Sequence, residues 1–305
     1  MTQPRITVIT PCCNQEHHVE RTICSVLDQG YQNLDFRVVD FGSDDATRHI
    51  LDHYAGQLTW TNVDRAAGVA AAINTALGAC DGQVVSILGA DEVYLPGALH
   101  AVERRWNTPS NTGWLVGHWA SIGEDDRLLG RTDAVAPESL AAFLMHDCAG
   151  WPLSAIFWDV RLARTMGDFD TSLQFSFDYE YWCRLLAAGN RPQVVPHKVL
   201  AARRVPARPG DGSGILHRGL ENIAAAMRYA DQLPWRQRYE LWVNCDRRRR
   251  IYALAAAELN GRQATRQLVR QTLRRPWWLA DESFRRTLLR GVSHPVPQHM
   301  LRPAA

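Results

Sequence analysis

Two adjacent acidic residues, Asp91 and Glu92, follow an apolar run that ends at Leu88. A carboxylate is costly to bury without a partner, so an acidic pair at the end of a buried strand needs solvent, a cation or a ligand. In open α/β sheets, ligands bind at the carboxyl ends of the strands. The position of this pair therefore predicts a functional site.

The ligand types at this site indicate its chemistry. Carboxylates without an accompanying cysteine or histidine pattern suit Mg²⁺ or Mn²⁺ better than zinc, and Mg²⁺ held by one or two carboxylates normally bridges to substrate phosphates. No glycine-rich loop of the P-loop or dinucleotide type follows a strand in this chain. We therefore expect a divalent cation (Mn²⁺ or Mg²⁺) and a nucleotide diphosphate or similar phosphorylated donor.

Two further acids, Asp40 and Asp64, also stand at or just after the ends of predicted strands. The carboxyl ends of parallel strands lie along one edge of a sheet, so these acids are expected to converge with Asp91 on a single cleft. The alternative is that each aspartate caps the turn or helix that follows it.

An alternation of strand-like and helix-like segments positions these acids. Strands are predicted at 6–10, 36–39, 58–63 and 83–88, with helices at 19–27, 47–54, 70–79 and 98–106, and Asn14 is the candidate cap of the first helix. This alternation predicts an α/β fold with a mostly parallel sheet flanked by helices.

The second half of the chain is less regular. Segments 113–122 and 127–131 are expected to pair as an antiparallel ribbon, and residues 153–186 have a helical pattern that is interrupted at 167–170. The segment 208–214 contains three glycines, one proline and one aspartate, which is typical of a mobile loop or a domain exit. We therefore predict domains at 1–214 and 215–305, the second mainly helical.

Composition narrows the class of protein. Hydrophobic residues make up 46% and charged residues 22% of the 305 residues, as in ordinary globular proteins. The seven cysteines form an odd set without a Cys-x-x-Cys pair, which argues against a disulfide framework and for a reducing, cytoplasmic setting. We identify no signal peptide and no apolar run long enough to span a membrane.

Several motifs in order resemble those of family 2 glycosyltransferases. The resemblance covers roughly residues 5–205, and its most specific segments are ITVITPCCNQ at 6–15, RTICSVLDQGYQNL at 21–34, VVDFGSDDAT at 38–47, the stretch 82–99, GDFDTSL at 167–173 and DYEYWCRL at 178–185. It implies a GT-A fold, a nucleotide-sugar donor with UDP as the expected nucleotide, and an inverting displacement at the anomeric carbon.

The same resemblance implies a role for each matching residue. The nucleoside pocket would include Thr10 and Pro11, the base would contact Asp40, and Arg65, which follows Asp64, would lie near the base or phosphates. Asp91 would face the ribose or the metal, Glu92 would coordinate the metal, and Asp178 would be the catalytic base.

The assignment of Asp178 also makes chemical sense, since a single displacement needs a carboxylate to accept the proton of the acceptor hydroxyl. Trp182 lies four residues later, on the same face of a predicted helix, where its ring could stack on a sugar. The alternative is that Trp182 belongs to the core.

The chain departs from the family pattern at three places, one of which is Phe177, just before Asp178, where many relatives have an acid. Glu92 stands where relatives commonly have an aspartate, and Pro206 stands where they often have a histidine that serves the metal or diphosphate. Either Arg203, Arg204 or Arg208 neutralises the phosphates instead, or the dependence on metal is weakened.

The last 65 residues are strongly basic, with thirteen arginines against four acids, a net charge of +9. Arg262, Arg266, Arg270 and Arg274 recur at helical spacing ahead of Trp277 and Trp278. A basic amphipathic helix with tryptophans suits an anionic membrane surface and hence a lipid-linked acceptor. A solvated face packed on the catalytic domain and a homo-oligomer interface are the alternatives; nucleic acid is not expected, because no recognised nucleic-acid-binding fold accompanies the charge.

These features favour a metal-dependent, inverting glycosyltransferase of bacterial surface polysaccharide or lipopolysaccharide synthesis, cytoplasmic or peripheral at the inner face of the cell membrane, acting on a glycan or lipid-linked glycan. One alternative is a catalytically weak nucleotide-sugar-binding partner of another transferase. A nucleotidyltransferase would also use strand-end acids and a metal, but the segment 11–14 is not the triphosphate loop that it would need.

Overall fold

The computed structural model describes residues 3–145, 151–205, 213–275 and 277–278, with the backbone alone at 213, 215 and 256–271. The chain divides into two compact units. The first comprises residues 1–140 and 150–207, and the second comprises 141–149 and 208–305.

The first unit begins with four parallel strands in the spatial order β3-β2-β1-β4: β1 (Ile6–Cys12), β2 (Leu34–Asp40), β3 (Thr59–Asn62) and β4 (Val84–Ile87). The connecting helices are α1 (Val19–Leu27), α2 (Thr47–His53) and α3 (Gly68–Gly78). This half of the sheet confirms the predicted alternation of strands and helices.

The remaining strands extend the sheet beyond β4 in the order β8-β6-β9-β5, with β7 paired to β6. They are β5 (Val93–Tyr94), β6 (Trp114–Ile122), β7 (Leu128–Thr132), β8 (Ile156–Asp159) and β9 (Gln193–Arg204). β6 is parallel to β9, but the β4–β8, β6–β8, β5–β9 and β6–β7 pairs are antiparallel. The β6–β7 pair confirms the predicted ribbon.

Three helices of this region are α4 (Ala98–Trp106), α6 (Val160–Met166) and α7 (Phe177–Ala187), and α5 (Leu140–Met145) lies at the division between the units. Short 3₁₀ helices occupy Arg65–Ala67 and Leu153–Ala155. The bounds of α4 confirm those predicted.

Two local predictions are wrong. Residues 156–159 were expected to be helical, but they form β8, because the short apolar run Ile-Phe-Trp is buried between β4 and β6. Asn14 does not cap α1: it has a left-handed φ of 50°, its side-chain Nδ2 donates to Asp44 Oδ1 at 2.7 Å, and the N-cap position is taken by His18.

The core of the first unit lies between the sheet and its helices. Its fully buried members include Ile6 and Val8 of β1, Ile23 of α1, Leu99 of α4 and Leu200 of β9. Full burial of one such side chain is worth about 1.5–3 kcal/mol. Gly117 of β6 is required here, because a Cβ at this position would lie 2.2 Å from Leu200 Cδ1.

The part of the second unit that the structure describes is helical. It contains α8 (Ser213–Arg228), a 3₁₀ turn at Ala230–Gln232 and the long α9 (Trp235–Arg274). A small core around Leu216, Ala253 and Trp278 joins its helices. Most of the predicted loop 208–214 lies outside the described residues.

Six cysteines lie in the described part of the chain, and all six are free thiols. Burial raises the pKa of the Cys12 thiol, as do the nearby Asp40 and Asp45 carboxylates. Among the helices that the structure describes, none combines the length and the apolar character needed to cross a membrane.

Candidate active site

The candidate site residues that precede Gly97 lie along one edge of the sheet. In the register of the parallel strands, Cys12 is opposite Asp40 and Asp40 is opposite Asn62, while β4 continues alongside β1. The carboxyl ends of these four strands therefore face the same way, and the loops that follow them contain Asp64, Arg65, Asp91 and Glu92.

The loop after β4 holds Glu92 in a nearly buried position, with 9% of its surface exposed. Its Oε2 accepts a hydrogen bond of 3.2 Å from the Gly89 amide, and its Oε1 lies 3.8 Å from Arg203 Nε. Burial raises the pKa of Glu92, as does the negative charge of Asp91, while Arg203, Ser154 and Gly89 act in the opposite direction. Two carboxylates thus share one site with an arginine beside them.

A row of polar side chains on α1 and just after its end holds this loop in place. Thr22 Oγ1 lies 2.9 Å from the Ala90 carbonyl and 2.7 Å from the Glu92 carbonyl, so its one proton is shared between them. Ser25 Oγ accepts from the Tyr94 amide at 3.1 Å, and Gln29 Nε2 donates to the Leu95 carbonyl at 3.2 Å. Sequence reasoning missed this row, although polar residues at i, i+3 and i+7 on the inner face of an apolar helix are a usable signal.

Asp40 stabilises the turn after β2. Its side chain is completely buried, it accepts hydrogen bonds from the amide and hydroxyl of Ser43, and it forms an ion pair with Arg48, whose Nε lies at 2.8 Å. In the structure, Asp40 therefore caps the turn that follows it, which is the alternative given for this residue. A contact between Asp40 and a base stays a prediction.

The turn after Asp40 packs directly against the loop after β3. Gly42 has a φ of 95°, and a Cβ there would lie 2.6 Å from the Cβ of Arg65, so only glycine allows this approach. Arg65 is exposed, with Nη1 3.6 Å from Asp44 Oδ2. Asp64 caps the 3₁₀ turn by accepting from the Ala66 amide at 2.8 Å.

Thr10 and Pro11 lie near the end of β1, beside β2. Thr10 is fully buried, and its hydroxyl has no hydrogen-bond partner among the described residues. Pro11 is half-buried. Their predicted place in a nucleoside pocket is consistent with this edge of the sheet but stays a prediction.

The helix α7 contains two of the predicted site residues, and they differ in environment. Asp178 is half-buried in the first turn, where its Oδ1 accepts from the Tyr179 amide at 2.7 Å. Trp182 is 1% exposed; its ring stacks on Trp114 at 5.6 Å between centroids and meets Trp158 edge-on at 5.5 Å. Trp182 is therefore a core residue, and the prediction that it stacks on a sugar needs correction.

Arg203, rather than Arg204, is the arginine beside the acidic pair. Arg204 is 7% exposed and donates to the Gly123 carbonyl at 2.6 Å and to Asp126 Oδ1 at 2.5 Å. Its guanidinium is thus occupied by the β6–β7 turn, which leaves its predicted substrate contact without structural support. Pro206 and Arg208 lie outside the described residues.

The donor set fits a hydrated hard cation better than a closed metal cage. Within the described residues no group of three or more histidine, cysteine, aspartate or glutamate side chains could hold a metal ion. Asp91 and Glu92 together offer carboxylate oxygens only, and Mg²⁺ or Mn²⁺ held by one or two carboxylates completes its shell with water and substrate phosphates. The residues present therefore fit such an ion.

The fold is shared with two solved glycosyltransferase structures across nearly the whole chain. The mannosyltransferase PcManGT from Pyrobaculum calidifontis, solved with GDP-Man and Mn²⁺, covers 95% of this chain and 84% of its own, with a TM-score of 0.59 and 18% identity. TarS 1–349 from S. aureus covers 94% of this chain and 89% of its own, with a TM-score of 0.56 and 15% identity. The fold is GT-A.

Sequence comparison then gives the family. Residues 7–154, which contain the Asp40 turn and the acidic pair, match the model of glycosyl transferase family 2. Over 188 residues, the chain is 27% identical to the Escherichia coli enzyme UDP-Glc:alpha-D-GlcNAc-diphosphoundecaprenol beta-1,3-glucosyltransferase WfgD, which corresponds to 61% of this chain and 71% of that protein. Through this region the chain matches glycosyl transferase family 2, which confirms the resemblance.

Proposed function

We propose that this protein transfers a sugar, with inversion, from a nucleotide-diphosphate sugar to an acceptor hydroxyl in the synthesis of a bacterial surface polysaccharide or lipopolysaccharide. The observation that carries the proposal is the acidic pair Asp91–Glu92, held at the sheet edge of a family 2 domain with Arg203 beside it. Residues 1–214 form the proposed catalytic domain and residues 215–305 its helical extension.

The proposed reaction is a single displacement. The Asp178 carboxylate accepts the proton of the acceptor hydroxyl as that oxygen bonds to the anomeric carbon, while the bond from this carbon to the diphosphate breaks and its electron pair leaves with the nucleotide. Asp91 and Glu92 would hold Mn²⁺ or Mg²⁺, which supplies positive charge for the leaving diphosphate. Arg203 adds a second positive charge next to Glu92.

The substrates are inferred by chemistry and by relatives. TarS has been solved with UDP-GlcNAc and PcManGT with GDP-Man, so both nucleotides occur with this fold. We propose UDP here, as for the glucosyltransferase WfgD, and a lipid-linked glycan acceptor like the diphosphoundecaprenol-linked sugar in the name of that enzyme. A lipid-linked acceptor would bring the protein to the inner face of the cell membrane.

Calorimetric titration of the whole chain with UDP, dTDP and GDP, each with and without Mn²⁺, tests the donor site. We expect UDP to bind best and Mn²⁺ to strengthen its binding. The variant Glu92→Gln should remove the Mn²⁺ effect, whereas Glu138→Gln, which removes one exposed acid elsewhere, should keep it. Absence of nucleotide binding under every condition would overturn the proposal.

A sugar-transfer assay separates the enzyme from a binding partner of another transferase. Both bind the donor, but only the enzyme transfers a labelled sugar to an acceptor in a membrane extract. Nucleotide binding without transfer to extracts from several bacteria would favour the partner.

A further inference from the structure

A concave basic pocket lies in the second unit and contains no residue of the proposed reaction. It has a volume of about 340 Å³ and is lined by Trp242, Asp246, Arg249, Arg274, Arg275 and Trp277. We call it the arginine pocket.

The arginine pocket carries more positive than negative charge. Its one carboxylate, Asp246, is buried and accepts from Trp277 Nε1 at 3.2 Å and Trp278 Nε1 at 3.0 Å, with Arg275 Nε at 3.5 Å. Burial and the nearby Arg249 and Arg274 lower the pKa of the Arg275 guanidinium. The pocket thus brings together three arginines and a single carboxylate, which already accepts hydrogen bonds from two tryptophans. This excess of positive charge favours a bound anion.

An exposed aromatic row on α9 leads to this pocket. Trp235, Tyr239 and Trp242 are 69%, 64% and 45% exposed, and their spacing of four and three residues places them on one helix face. The rings of Tyr239 and Trp242 stack at 6.4 Å between centroids. The same spacing continues to Asp246 and Arg249, so the row ends in the pocket. We call these three rings the aromatic stripe.

We propose that the aromatic stripe and the arginine pocket dock on an anionic membrane surface, with the pocket receiving the phosphate of one lipid headgroup. Guanidinium groups bind phosphate through paired, charge-assisted hydrogen bonds. Tryptophan and tyrosine favour the boundary between headgroups and acyl chains because one end of each ring system is apolar and the other polar. The proposal does not depend on sugar transfer.

The arrangement differs from the surface predicted from the sequence. That surface comprised the arginine row 262–274 together with Trp277 and Trp278, and the side chains of the row before Arg274 lie outside those described. The docking surface proposed here keeps Arg274 and Trp277 and adds residues from the first half of α9.

Vesicle flotation of the full chain tests the proposal. The protein should float with phosphatidylcholine vesicles that contain phosphatidylglycerol and not with phosphatidylcholine alone. Arg249→Gln and Arg274→Gln should each lower the partition coefficient by about fivefold, and Trp242→Gln by roughly tenfold.

Matched controls use the same helix. Arg247→Gln removes an exposed arginine outside the pocket, and Ile251→Gln removes an exposed apolar side chain away from the stripe; neither should reduce flotation measurably. Equal losses in Arg247→Gln and Arg249→Gln would mean unspecific charge attraction and would overturn the proposal.

Two other results would also contradict it. Binding of free glycerol 3-phosphate to a protein that does not float with any of the vesicles would indicate a site for a soluble phosphate ester. A loss of self-association in Trp242→Gln, seen by light scattering without any loss of flotation, would make the stripe an interface between copies of this chain.

Discussion

At the scale of single residues, the buried hydroxyl of Thr22 positions the acidic pair without touching a ligand. Thr22→Val keeps the shape but leaves the Ala90 and Glu92 carbonyls without their donor, at a cost of about 1–3 kcal/mol in the free energy of unfolding. If the loop holds the cation, the Mn²⁺ concentration for half-maximal donor binding should rise about ten- to a hundredfold.

Thr22→Ser is the matched control, since it keeps the hydroxyl. Titration of Mn²⁺ into each variant with UDP separates positioning from stability. Loss of stability in Thr22→Val with an unchanged Mn²⁺ requirement would limit Thr22 to a structural role.

For Trp182, we predict a role in stability and none in acceptor binding. Because its ring is enclosed by Trp114 and Trp158, Trp182→Ala should lower the free energy of unfolding by about 3–5 kcal/mol. Trp182→Phe should fold and keep the KM for the acceptor. Urea unfolding and acceptor kinetics check both variants, and a raised acceptor KM in a stable Trp182→Phe protein would restore the sugar-stacking role.

The site residues differ in how far they could be predicted from the sequence. The acidic pair was predictable because two carboxylates after an apolar run have few stable environments. Trp182 was ambiguous because an aromatic ring four residues after an acid suits both a sugar platform and a core. Arg203 was one of three candidate arginines, and the sequence could not single it out. Thr22 was not identified at all, since it acts on a loop that is distant in sequence.

At the scale of elements, the turn between β6 and β7 is fixed to its neighbours by charge. Asp126 accepts from Arg204 of β9 and pairs with Arg21 of α1 at 3.3 Å, and Glu124 lies 3.7 Å from His18. The hydrogen bond from Arg204 lowers the pKa of Asp126. The turn therefore joins a helix and a strand that flank the acidic loop.

This pKa shift makes the stability contribution of the turn depend on pH. A carboxyl group whose pKa is lowered by folding stabilises the folded protein at pH values above its unfolded-state pKa of about 3.9. This contribution is lost as the pH falls through the folded-state pKa. At neutral pH, the free energy of unfolding of the wild type should therefore exceed that of Asp126→Asn by no more than about 1 kcal/mol, because Asp126 is partly exposed.

The difference should shrink below about pH 4. Asparagine tolerates the left-handed φ of 60° at this position, so the comparison isolates charge. Urea unfolding across pH measures it, and a difference that widened on acidification would contradict the account.

The predictability of the strands follows from the regularity of their patterns. The parallel half was predicted from short apolar runs that alternate with helices. The strand β9 was not predicted, because Pro196 and His197 interrupt it. Its pairing with β6 passes from Val195 directly to Val199, and His197 has a φ of 59°. A bulge of this kind removes the two-residue periodicity on which strand prediction depends.

At the scale of the whole molecule, charge is divided along the chain. Residues 241–305 carry +9 within a total of +2, so the remainder is acidic. The proposed catalytic chemistry lies in the first unit and the proposed membrane contact in the second, so the two functions can be tested by separate variants. Arg249→Gln should impair vesicle binding while leaving nucleotide binding unchanged.

The central claim is that this chain is an inverting transferase with Asp178 as its base. The most direct measurement compares wild type with Asp178→Asn for labelled-sugar transfer and for nucleotide binding in the same preparation. We expect transfer to fall by about a hundred- to ten-thousandfold while nucleotide affinity stays nearly constant. Transfer by Asp178→Asn at the wild-type rate would contradict the account.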